Sequence, residues 1–122
     1  MGAASGVAVF SLVRGCLVAT PLRELDPAGV RAFHAELSAR LQRERGLHGV
    51  VLDVSAVEVM DADDFAWVRA TLQLAALMGS RAVLAGLSPE VAATLVRLDV
   101  DVHRVEAAHT VDRAVDALER AP

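Results

Sequence analysis

Hydrophobic residues along the chain fall into two periods. Short runs rich in valine and leucine read as strands: Val7 to Val13, Cys16 to Thr20, Val50 to Val54 and Ala82 to Ala85. Between them lie longer segments whose apolar residues recur every three or four positions. Val30, Phe33, Leu37 and Leu41 form one such stripe, and Val91, Leu95 and Leu98 a second. Val111, Ala114, Val115 and Leu118 form a third. Arg14-Gly15 supplies a tight turn that makes the first two strands a hairpin. The helix starts are marked as well. Asp26 precedes Pro27, Ser88 precedes Pro89, Asp61 opens the central helix, and Thr110 caps the last one. The helix after Asp26 is expected to end near Gly46, and Val102 to Val105 is predicted as a short final strand. The resulting order is ββαβαβαβα, a hairpin leading into a mostly parallel α/β sheet of about five strands with four helices. The whole chain, 1–122, reads as one domain.

The unit from Val50 to Gly86 organises the rest. It reads as buried strand, short loop, long helix and buried strand, a βαβ unit with the right-handed crossover such units take. Its loop, Ser55 to Asp64, lies at the carboxyl end of a strand, where open α/β sheets concentrate recognition. The helix is apolar nearly all round. At about 100° per residue, Phe65, Val68, Leu72, Ala75 and Ala76 share one face, and Trp67, Ala70, Leu74, Leu77 and Met78 the other. Either neighbouring helices cover both faces, or the Trp67 face is left for a partner; the sequence favours the partner slightly.

Composition narrows the function classes. A chain that is 54% hydrophobic is not disordered, yet no apolar run reaches the ~20 residues of a membrane span. The N-terminus lacks the basic region of a secretory signal, so a cytoplasmic protein is expected. A net charge of −4 argues against nucleic-acid binding. The single cysteine, Cys16, sits in an apolar run and is expected to be a small core residue. On the helix after Asp26, Arg31, Glu36, Arg40, Arg43 and Arg45 read as a solvated outer face, the basic end matching the helix dipole.

Enzyme motifs are missing. Neither GxGxxG nor GxxxxGK[ST] occurs, and the chain has no lysine. His34, His48, His103 and His109 show no metal-ligand spacing with Cys16, so no metal and no cofactor is expected. Five carboxylates, Asp53, Glu58, Asp61, Asp63 and Asp64, crowd the central loop. Acid–base work or cation binding is conceivable there. Capping explains more of them: Asp61 as N-cap, with Asp63 and Asp64 in the first turn where the dipole favours negative charge.

The segment LDVSAVEVMDA, then a helix, then RAVLAGLSPEVAATLVRLDV, resembles a STAS domain, the fold of anti-sigma-factor antagonists. It is most similar to the branch that builds stressosomes, with proteins of the RsbS and RsbR type, and the resemblance spans Val7 to Leu118. Its specific parts are Asp53-Val54-Ser55, the Met60-Asp61 loop end, and Leu87 to Ala92 leading into Thr94-Leu95-Val96. The resemblance implies a non-enzymatic regulator in bacterial stress or sigma-factor signalling. Its partners would be a switch kinase or anti-sigma factor of the GHKL type and other STAS chains, in a homo-oligomer or a large hetero-oligomeric scaffold. The expected partner-binding residues are Ser55, Glu58, Asp61, Ala62, Asp63, Asp64 and Trp67. The family's phosphorylated Ser or Thr directly follows the loop aspartate; here that position is Ala62, which has no hydroxyl. Two readings stay open: a subunit never switched at this site, which is favoured, or one in which Asp63 imitates a phosphate. Thr94 falls near a second position that RsbR-type relatives phosphorylate. The alternative function is a STAS-like domain holding a small ligand, a nucleotide or lipid, in the loop pocket; the lack of lysine and of a Gly-rich loop counts against an anion there.

Overall fold

The computed structural model describes residues 3–4, 6–100, 102 and 104–120. Among the described residues, six strands lie in one sheet in chain order: β1 (Ala3–Ala4), β2 (Ala8–Val13), β3 (Cys16–Pro21), β4 (Gly49–Asp53), β5 (Ala82–Ala85) and β6 (Ala107–Ala108). β1, β2 and β3 pair antiparallel, and β3 to β6 run parallel. The helices are α1 (Pro27–Arg43), α2 (Ala62–Leu77), α3 (Pro89–Arg97) and α4 (Val111–Glu119). All four predicted caps are in place, with Asp26, Asp61, Ser88 and Thr110 each accepting the backbone N–H three residues on.

The sheet divides the core by strand parity. Leu17, Ala19, Val50, Leu52 and Leu84 face a core built with α1, α2 and α3. Cys16, Val18, Val51, Val83 and Ala85 face the opposite side, where Ala114, Val115 and Leu118 of α4 cover them. One helix suffices there because it lies close. A Cβ at Gly49 would stand 2.6 Å from both the Arg81 carbonyl oxygen and Leu118 Cδ2. Arg14 of the β2–β3 turn clasps the end of α4, its Nη2 donating to Asp116 Oδ1 at 2.6 Å and also to Glu119. Cys16 is buried, and burial pushes its thiol pKa up, as a core position requires.

Several expectations need correction. The final strand is not Val102 to Val105. Val102 and Val105 instead pack their side chains against the core, Arg104 is in a turn, and His103 lies outside the described residues. The strand forms at Ala107–Ala108, in register with Leu84 and Ala85. α1 stops at Arg43, short of Gly46. Glu36 and Arg40 are not on a solvated face. They pair at 3.2 Å with side chains largely covered, and the Arg40 guanidinium lies 5.1 Å over the Phe10 ring. A long arginine stem covers apolar surface in this way while its charge finds a ring and a carboxylate. α2 is packed on both sides, with Phe65, Trp67, Val68, Thr71 and Ala75 all buried.

Candidate functional site: the acidic end of the sheet

The site is the loop from β4 into α2, and its shape follows from how few of its residues are anchored. Val54 N donates to the Ala85 carbonyl at 2.9 Å, extending β4 by one residue. Asp53 Oδ1 then accepts the Ser55 N–H at 3.0 Å, and Val57 N closes a turn onto the Val54 carbonyl at 3.0 Å. Val57 and Met60 are buried and pin the loop from below. Ser55, Glu58 and Val59 are left at the surface; Val59, an apolar side chain, is 68% exposed. A neighbouring loop braces this one. Gly86, after β5, has φ +83, and a Cβ there would stand 2.8 Å from Asp53 Oδ1 and 3.0 Å from Ser55 Cβ. Only glycine allows both the left-handed backbone and that approach.

α2 begins with a reciprocal capping box. Asp61 Oδ1 accepts from Asp64 N at 2.9 Å, and Asp64 Oδ2 accepts from Asp61 N at 3.1 Å. The Asp64 N–H holds the Asp61 pKa below its ordinary value. Partial burial pushes the Asp64 pKa up. Trp67 Nε1 donates to the other Asp64 oxygen at 3.4 Å. Three of the five carboxylates, Asp53, Asp61 and Asp64, are therefore engaged in holding backbone N–H groups, which is structural work. Asp63 and Glu58 stand in solvent. Ala62 is the first residue of α2, exposed, with Asp61 before it and Asp63 after it.

Trp67 leaves the set of exposed residues. It is 7% exposed, its ring meeting Phe33 of α1 edge-on at 6.4 Å between centroids. One turn on, Thr71 is also buried; its hydroxyl donates to the Trp67 carbonyl at 2.8 Å. With its proton committed there, Thr71 Oγ1 accepts from His34 Nε2 at 2.7 Å. Burial lowers the His34 pKa, consistent with a neutral ring in that seam. α1 thus covers the face that the sequence left for a partner, and only Leu77 at the far end, 88% exposed, stays bare.

Other expected residues are drawn together. Glu58, Val59 and Met60 form one groove with Glu90, Val91 and Thr94 of α3. Thr94 is half-buried, its hydroxyl donating to the Glu90 carbonyl at 3.0 Å and accepting from Arg97 at 3.2 Å. Two acidic residues join that the sequence reading passed over. Glu90 is one. Glu24 is the other, its Oε1 accepting the Val59 N–H at 3.3 Å. Glu24 sits in the β3–α1 connection and Glu90 in the first turn of α3, both following a parallel strand's carboxyl end, and that placement was the available signal. This end of the molecule therefore presents Glu24, Glu58 and Glu90 beside an exposed Val59, with Asp61 and Asp63 exposed at the adjoining start of α2.

A model of the STAS domain matches residues 11–114. No curated protein matches the sequence. Among solved structures, an RsbS variant from Moorella thermoacetica is 29% identical, with a TM-score of 0.72 over 90% of this chain and 92% of that one. A chain of the stressosome, described as a signal integration and transduction hub, is 27% identical, with the same TM-score over 90% and 95%. The anti-sigma factor antagonist SpoIIAA in its unphosphorylated form is 17% identical with a TM-score of 0.65, covering 93% and 99%, and shares the fold.

Proposed function

The chain belongs to the STAS domain family, and on that premise we propose that it is a non-enzymatic regulator whose acidic end docks a signalling partner without being switched at the start of α2. The observation that carries this is Ala62. It occupies the first, exposed position of α2 between Asp61 and Asp63. A phosphoryl group there would add about −1.5 to −2 charge beside two carboxylates and refashion the surface. Alanine cannot accept one, so the start of α2 keeps one charge state at neutral pH.

The partner that fits is a switch kinase or anti-sigma factor of the GHKL type, with other STAS chains completing a scaffold. The likeness to RsbS and to a stressosome chain, both above a quarter identity, supports that choice. Charge supports it too: an acidic rim around an apolar Val59 complements a basic surface with an apolar centre. Asp63 carries one charge, where a phosphoserine carries nearly two, and it lies one residue beyond the matching position, so the unswitched reading is preferred to phosphate imitation. Thr94, already bonded within α3, is proposed only as a secondary site.

The test is calorimetric titration of the whole chain against GHKL-type switch kinases of its own organism, with Glu58→Lys and Val59→Asp beside it. Micromolar or tighter binding, weakened at least tenfold by either change, is the expected result. No binding to any of them would remove the kinase from the reading.

A further inference from the structure

Alongside α2 two cavities adjoin. One is an apolar cavity of about 210 Å³ between α2, β5 and α3, lined by Phe65, Leu84, Leu95, Val96 and Val102 among others. The second is an open cleft of about 730 Å³ running along α2 past the start of β5, with Arg69, Gln73 and Arg104 on its walls and Leu72 and Ala82 among its apolar lining. Val105 lines both. Arg69 joins them as well, its guanidinium 5.5 Å above the ring of Phe65. The described lining of the cleft carries one carboxylate, Glu106. That carboxylate is taken: Arg81 holds it through Nε at 3.0 Å and through Nη2. Arg104 has no ion pair among the described residues, and its backbone is left-handed at φ +67. Asp99 is left-handed too, but it follows the C-cap of α3, where helices often end so. Arg14 is left-handed in the β2–β3 turn, and Arg104 likewise sits in a turn, which holds its side chain at the wall of the cleft.

The geometry points to a binding site for a small amphipathic carboxylate, its apolar body in the 210 Å³ cavity and its carboxylate on Arg104. A dry cavity of about 150 Å³ holds a benzene ring, so this one has room for a body of roughly six to ten carbons. Arginine provides the paired donors a carboxylate needs. The lack of lysine and of a glycine-rich loop therefore does not exclude an anion in this cleft. Its lining shares no residue with the groove of Glu58, Val59 and Thr94, and it does not rest on the function proposed for that surface.

The probe is octanoate, titrated into the whole chain by methyl NMR and calorimetry, with octanol and inorganic phosphate as comparisons. Octanoate should shift the methyls of Leu84, Leu95 and Val105 and bind at least tenfold tighter than octanol. Arg104→Gln, a surface change that leaves the fold intact, should weaken octanoate about tenfold and leave octanol unchanged. Ala92→Phe, which fills the cavity, should abolish both. Equal binding of octanoate and octanol to the unaltered chain would overturn the assignment. So would phosphate binding as tightly as octanoate, or an absence of methyl shifts at about 5 mM octanoate.

Discussion

Trp67 of α2 meets Phe33 of α1 edge-on at 6.4 Å, while its indole N–H reaches Asp64 in the capping box of its own helix. One side chain thereby ties the α1–α2 seam to the first turn that shapes the docking end. Trp67→Ala should destabilise the fold by about 3–5 kcal/mol, the usual cost of emptying a large aromatic site. Urea unfolding measures it. A loss under about 1 kcal/mol would mean the ring is not part of the core.

Gly86 braces the docking loop from below. Gly86→Ala puts a Cβ against Asp53 and Ser55 and forces a left-handed backbone on alanine, which should cost roughly 1–3 kcal/mol. Because the displaced atoms belong to the loop, amide shifts should move at Ser55 and Val57 and stay fixed in α4.

Arg14 holds Asp116 and Glu119, and its hydrogen bonds keep both carboxyl pKa values below the ordinary 3.8 and 4.5. A depressed folded value stabilises above the unfolded value and loses that contribution as pH falls through the folded one. Arg14→Gln should therefore lower Tm at neutral pH. The gap between variant and parent should begin to close below about pH 4.5 and be gone once both carboxylates are protonated. These groups are exposed, so the gap at neutral pH should be small; a gap that widens on acidification would contradict the pairing.

Asp61 caps α2 and also contributes charge to the rim. Asp61→Asn keeps a capping acceptor and removes the charge, so partner affinity should drop with little change in Tm. Asp61→Ala should lower both. Equal Tm values for the two variants would show that the cap is dispensable.

Much of the fold was legible in the sequence because its signals were local. Asp26-Pro27, Asp61, Ser88-Pro89 and Thr110 each announce a helix through one side chain and its own backbone, and all four act as expected. The buried runs of β4 and β5 were equally plain. What failed depends on contacts distant in sequence. Trp67 looked outward because α2 is apolar on two faces, and no local pattern says that α1 lies across one of them. Arg40 looked solvated until Phe10, far back in the chain, came beneath it. The last strand was expected at Val102 to Val105, but register with Leu84 and Ala85 put the pairing at Ala107–Ala108. At the candidate site the loop and its caps were visible, whereas Glu24 and Glu90 join it only through the sheet.

The most direct test is to give the chain and its Ala62→Ser variant to a GHKL-type switch kinase with ATP, and to follow phosphate incorporation and kinase affinity together. The unaltered chain should take no phosphate at the start of α2 and hold the kinase equally before and after ATP. Ala62→Ser should be phosphorylated there and lose affinity at least tenfold. Release of the kinase by the unaltered chain on addition of ATP, or an Ala62→Ser variant that a competent kinase leaves unmodified, would contradict the account.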